Sequence, residues 1–174
     1  MKVRTRPYGE IEVEDQQRIS FPKGIFGFEE LREFILMDAT TQPFYWLQSV
    51  ERVEVAFVLI DPKFFCPDYT PDVDDSELEE IGITEPDDML VLAIVTIPQS
   101  AQKMTANLQG PLILNRRTHE GRQSISSNPR WGVRHTILDE LAQAQKNTPG
   151  TSAQKNPPGT SAQKNPPGTS ARRA

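Results

Sequence analysis

The chain carries one cysteine, Cys66, and two histidines, His119 and His135. A Cys/His zinc centre takes four ligands in a tetrahedron, so three such residues cannot build one. There is no G-x-S-x-G nucleophile elbow, no phosphate-cradling glycine loop and no dinucleotide fingerprint. His119, within Thr118–His119–Glu120–Gly121, reads as an exposed turn residue, and His135, between Arg134 and Thr136, as a sheet-face residue. A Ser/His/Asp triad is assembled in space and leaves no spacing to find. Nothing in the sequence singles one out. Cys66 stands beside Phe64 and Phe65 and reads as a small buried hydrophobe. A single cysteine forms no intrachain disulfide, which fits a reducing, cytoplasmic setting.

Carboxylates are the one concentrated chemistry. Asp68 to Asp88 holds ten acids and no base: Asp68, Asp72, Asp74, Asp75, Glu77, Glu79, Glu80, Glu85, Asp87 and Asp88. Asp72-x-Asp74 opens like a calcium loop, but Glu77 stands where the sharp turn of that loop needs glycine. Glycoside hydrolysis needs two carboxyls at a fixed separation beside a sugar cleft, and a surface run supplies no cleft. Two readings stay open: a solvated loop and helix that keep the chain soluble, or an electrostatic surface that steers a basic protein partner. Neither needs a metal or cofactor, so none is expected.

The charge is unevenly spread. All 24 acids lie in residues 1–143 with 14 of the 19 bases, a net of −10, whereas residues 144–174 carry five bases and no acid. An acidic body argues against direct nucleic-acid binding, which requires Lys and Arg on phosphates. No segment at the N-terminus resembles a secretion signal, and the longest apolar run, Met89–Val95, is too short to span a bilayer. The mean hydropathy of −0.53 averages a body with apolar segments and a polar tail. That tail reads AQKNTPGTS, AQKNPPGTS, AQKNPPGTS, ARRA. Its nine-residue units have no apolar face to stack, so they form no solenoid and read as a disordered, proline-stiffened tail. Lys146, Lys155, Lys164, Arg172 and Arg173 make it either a weak tether for acidic surfaces or a repeat expansion without a role.

The body, residues 1–143, reads as one all-β domain, compact, antiparallel and barrel-like, with one or two short helices. Glu10–Glu14 alternates with Ile11 and Val13 on one face, and Arg18–Phe21 repeats the alternation. Phe44–Val50 and Val53–Ile60 are rich in aromatic and β-branched residues, with a tight hairpin expected at Glu51–Arg52. Met89–Ile97 is nearly all apolar, as for a strand covered on both faces. Leu112–Leu114 and Val133–Ile137 are two further short strands. Asp75–Ile81, capped by Asp74 and followed by Gly82, reads as a short helix. Glu29–Arg32 reads as one helical turn and Leu138–Ala144 as a C-terminal helical turn.

Two segments stand apart. Phe21–Glu29, FPKGIFGFE, sets four phenylalanines among two glycines and a proline. Asn107–Asn115, NLQGPLILN, puts a polar Gly-Pro corner before an apolar strand. Both offer turns and side-chain surface without a nucleophile or an acid–base pair; they read equally as corners of the core and as a binding scaffold.

With PFYWLQS at 43–49, AFVLIDP at 56–62, PDY at 67–69 and VLAIVTIP at 91–98, these two motifs make a series spanning about Met1 to Leu141. The series resembles the bacterial flagellar assembly factor FliW family. Phe26 stands where the family pattern has proline, and the repeat tail lies outside it. The resemblance implies a small β-barrel-like protein of the cytoplasm, non-enzymatic, that binds flagellin. It also implies binding to the carbon storage regulator CsrA, an RNA-binding repressor of flagellin translation, whose repression it relieves allosterically. A flagellin chaperone without a CsrA role is the alternative. On this resemblance the contact residues are expected to be Phe21, Pro22, Gly24, Phe28, Asn107, Leu108, Pro111 and Asn115, not divided between the two partners.

Overall fold

The computed structural model describes residues 1–146. Its strands are β1 (Lys2–Thr5), β2 (Gly9–Glu12), β3 (Arg18–Ser20), β4 (Glu33–Asp38), β5 (Tyr45–Ser49), β6 (Ala56–Ile60), β7 (Met89–Thr96), β8 (Thr105–Ala106), β9 (Leu112–Asn115), β10 (Gly121–Gln123) and β11 (His135–Thr136). The helices are α1 (Asp75–Glu80) and α2 (Ile137–Lys146). The main sheet runs β10-β9-β7-β6-β5-β4-β3, every neighbour antiparallel, and β8 and β11 branch from β7. Its two ends approach through a single parallel bridge, Ser20–Glu120, where the Ser20 amide donates to the His119 carbonyl at 2.9 Å. The sheet is therefore curled and barrel-like, without a ladder that closes it.

Period-two alternation assigns each strand residue to one of two sides. Phe34 of β4, Leu47 of β5, Leu59 of β6, Leu92 of β7 and Leu112 and Leu114 of β9 form the interior with Phe21 and Ile19. The outward residues are covered too. Ile35 and Met37 of β4 lie under the β1–β2 hairpin with Val3 and Val13. Ile113 of β9 lies under the α1 segment with Ile81 and Ile83. Ala93 and Val95 of β7 and Ile60 of β6 lie under Phe65, Tyr69, Trp131 and Ile137. Cys66 is buried in that last layer, as its phenylalanine neighbours implied.

The all-β, barrel-like reading with two helices is what the fold shows, and β7 is covered on both faces as expected. Several details differ. Glu29–Arg32 is no helical turn: the Leu31 amide donates to the Phe28 carbonyl and the chain passes straight into β4. β4 itself was not expected: Phe34–Met37 does not alternate, and its apolar run is only four residues, far shorter than Met89–Ile97. The β1–β2 hairpin explains this by burying the outer face. The β5–β6 connection spans residues 50–55 in place of a two-residue turn, since Ser49 Oγ accepts from the amides of Glu51 and Arg52 and ends β5 early. In Val133–Ile137 only His135 and Thr136 pair as strand, and Ile137 opens α2. Asp74 occupies the cap position of α1 in extended backbone, but its side chain makes no capping bond. The tail reading beyond residue 146 lies outside the described residues.

Candidate functional site

The segment from Phe21 to Leu31 is a chain of tight turns. Gly24 N–H donates to the Phe21 carbonyl (2.9 Å), Phe28 N–H to Ile25 (2.6 Å) and Leu31 N–H to Phe28 (3.0 Å). Gly24 sits at φ +68°, and a β-carbon there would lie 2.6 Å from the backbone Cα of Glu29, so only glycine fits. The turns drive Phe21 and Ile25 inward, leave Phe28 half-buried against Phe57 in an edge contact (5.2 Å between centroids), and push Phe26 outward, 51% exposed.

The second segment is an excursion between β8 and β9, both of which pair with β7. Asn107 Oδ1 accepts from the amides of Gln109 (3.1 Å) and Gly110 (2.8 Å) and folds the corner. Leu108 is fully buried, and its carbonyl accepts the Tyr69 hydroxyl at 2.8 Å. Burial pushes the Tyr69 hydroxyl pKa upward, so it stays a donor. Asn115 is fully buried: its Nδ2 donates to the Ile81 carbonyl (2.7 Å), and its Oδ1 accepts from the amides of Arg117 (2.8 Å) and Thr118 (3.2 Å).

The two segments meet at a residue that the motifs do not include. Gln123 Oε1 accepts the Phe26 amide at 3.0 Å, and its Nε2 donates to the Gly110 carbonyl at 2.8 Å. Of the eight expected contact residues, Phe21, Gly24, Leu108, Pro111 and Asn115 are buried, Asn107 and Phe28 half-buried, and Pro22 exposed. The buried five shape the two turns from inside. The exposed apolar side chains on and beside the joined segments are Pro22, Phe26 and Ile125, the last 54% exposed.

The acids of residues 68–88 fall into two sets. Asp68 pairs with Arg130, and that contact holds its carboxyl below the ordinary range. Asp72 accepts from Asn128 Nδ2 and the Thr70 hydroxyl, both at 2.8 Å, with the same effect. Arg122, largely buried, donates to Glu77 and Glu80 at 2.5 Å each and fastens α1 to β10. Lys23 reaches Glu80 at 2.9 Å and, with the Arg122 charge, lowers its pKa. Asp88 pairs with Arg117 at 3.5 Å. These five acids anchor structure. Asp74, Asp75, Glu79, Glu85 and Asp87 make no ion pair with the described residues. Three of them, Asp75, Glu79 and Glu85, rim a cleft of about 450 Å³ whose floor is Leu78, Ile83 and Met89.

His119 is a turn residue with φ +61°, and His135 accepts the Gly132 amide at Nε2, 2.7 Å. Among the described residues, no group of three or more His, Cys, Asp and Glu is placed to hold a metal ion, and no helix is long and apolar enough to cross a membrane.

The comparison with known proteins agrees with this fold. A family model described as FliW protein matches residues 2–137. The flagellar assembly factor FliW of Treponema denticola is 42% identical over 147 residues, which cover 84% of this chain and all of that one. The factor of Leptospira biflexa is 41% identical over 143 residues, 81% of this chain and 94% of its own. A crystal structure of a flagellar assembly factor FliW superposes with a TM-score of 0.74 at 35% identity, covering 79% of this chain and 96% of that one. The relatives and the solved structure are named for flagellar assembly. With a family model over residues 2–137, relatives 41–42% identical over nearly their whole length and a solved structure sharing the barrel-like fold, this chain belongs to the FliW family.

Proposed function

We propose that this chain is a non-enzymatic binding protein of the cytoplasm that takes up flagellin and, when flagellin has been exported, binds CsrA to lift repression of flagellin messenger RNA. Family membership supports the flagellar setting. The observation that carries the CsrA half is the cleft beside α1, where Asp75, Glu79 and Glu85 surround an apolar floor without cationic partners of their own among the described residues. Such a surface suits a basic protein segment with interspersed apolar side chains. Negative charge brought beside a basic RNA-binding surface lowers its affinity for phosphates without occupying the RNA site. Flagellin is assigned to the surface around Pro22, Phe26 and Ile125, where exposed apolar side chains stand on a rigid base.

Calorimetric titration of the full chain with flagellin and, separately, with CsrA from the same organism tests the reading. Binding to both is expected. Binding to flagellin alone makes the protein an export chaperone, and binding to neither by a folded chain overturns the proposal.

A further inference from the structure

On the outer face of the sheet, over β5 and β6, Pro7, Tyr8, Phe44, Trp46, Val58 and Ile97 line a mainly apolar groove of about 420 Å³. Tyr8 and Ile97 are among the most exposed large apolar residues of the body, at 38% and 51%. The Tyr8 ring is fixed, because its hydroxyl accepts the Thr40 amide at 3.0 Å and lies 3.2 Å from the Thr40 hydroxyl. A rigid tyrosine beside a half-buried tryptophan is the kind of wall that receives proline in an extended, polyproline-type segment.

We propose that this groove takes an Asn-Pro-Pro-Gly unit of the chain's own C-terminal repeats, at Asn156–Gly159 or Asn165–Gly168. Three observations converge on that occupant. The first is position: Leu141 of α2 packs against the same hydrophobic cluster as Phe44 and Val58 of the groove lining. The second is reach. Asn156 lies ten and Asn165 nineteen positions beyond Lys146, lengths whose coil dimensions are about 17 Å and about 24 Å. The third is charge: five bases in residues 144–174 face a body of net −10, which keeps the segment over the surface. Tethering makes the local concentration of the units millimolar in scale, so a weak individual contact suffices. The tail then occupies one apolar face of the protein and shields it from other chains.

Amide spectra of the isotope-labelled full chain test this against a full chain with Pro157→Ser, Pro158→Ser, Pro166→Ser and Pro167→Ser. The amides of Tyr8, Thr40, Thr41 and Ile97 are expected to shift between the two chains, at every protein concentration and in raised salt. In a Tyr8→Ala background, an exposed position that leaves the core intact, the same four replacements should leave Ile97 unmoved. Superimposable groove resonances overturn the proposal. So do changes confined to residues 74–88, which mean that charge alone holds the tail. Groove shifts that grow with protein concentration also overturn it, because a second copy is then the occupant.

Discussion

The amide of Phe26 donates to Oε1 of Gln123 at 3.0 Å, a bond between residues 97 apart in the chain. Because Nε2 of the same side chain donates to the Gly110 carbonyl, one buried glutamine satisfies main-chain groups from both motif segments. Replacing one partner of a buried hydrogen bond leaves the other desolvated and unpaired, at about 1–3 kcal/mol. Gln123→Leu keeps the bulk and removes both bonds. It should lower the urea midpoint by an amount equivalent to roughly 2 kcal/mol with an unchanged slope. Wild-type stability in this variant would mean that the two turns stand without the tie.

Gly24→Ala tests the first turn from within. The added methyl meets backbone, the Cα of Glu29 at 2.6 Å, and the residue must hold φ +68°. Backbone cannot rotate aside as a side chain can. The cost should reach at least about 1–3 kcal/mol, the range for strained backbone, and the relief should be a reshaped turn. Gly27 offers the control: it has φ +86° but nothing within 4 Å of a β-carbon. Gly27→Ala should therefore destabilise less than Gly24→Ala. If the two denature at the same midpoint, the close approach to Glu29 has no energetic weight.

Acid should weaken the fold through a small set of carboxylates. Glu51 accepts from the amides of Arg32 and Glu33, both at 2.8 Å, and these bonds lower its pKa. Asp68, Asp72 and Glu80 are lowered by Arg130, by Asn128 with Thr70, and by Lys23 with Arg122. Each of these groups binds a proton more readily unfolded than folded. Their contribution is complete above the ordinary carboxylate pKa of about 4 and is lost as pH falls through the lower folded values. Urea midpoints should thus hold steady from about pH 7 to about pH 5 and decline below about pH 4. Glu51→Gln should make that decline shallower. A midpoint indifferent to pH in the acid range would contradict the assignment.

How much of this was legible in the sequence depended on whether the cause was local. Met89–Ile97 announced a strand covered on both faces, and β7 is one, since its neighbours bury both sides. Asp75–Ile81 announced a helix by its flanking Asp74 and Gly82, and α1 spans Asp75–Glu80. β4 was hidden because its outer face is covered by the β1–β2 hairpin, a long-range fact that erased the alternation. The FPKGIFGFE and NLQGPLILN segments stood out by composition, but sequence does not tell an inward phenylalanine from an outward one. Phe21 and Phe26 differ by five positions and lie at 0% and 51% exposure. Gln123 gave no signal at all, having no local motif, and its partners are distant in the chain. The acidic run was plain, yet its division depended on Arg122, Arg117, Arg130 and Lys23 arriving from elsewhere.

That division yields the sharpest prediction for function. Replacing Asp74, Asp75, Glu79, Glu85 and Asp87 by their amides removes five charges that make no ion pair with the described residues. Surface changes of this kind usually alter stability by less than about 0.5 kcal/mol each, so the fold should persist. Association with CsrA should slow and lose most of its dependence on salt, because steering by unpaired charge is screened within about 8 Å at physiological ionic strength. Flagellin binding, assigned to the surface around Phe26, should be unaffected. The opposite set is the control. Arg122→Met strands Glu77, leaves Glu80 with Lys23 alone, loosens α1 from β10 and should lower stability while leaving the five unpaired acids in place. Stopped-flow association across a salt series separates the two effects. An unchanged rate in the five-amide chain would show that the acidic cleft does not guide CsrA.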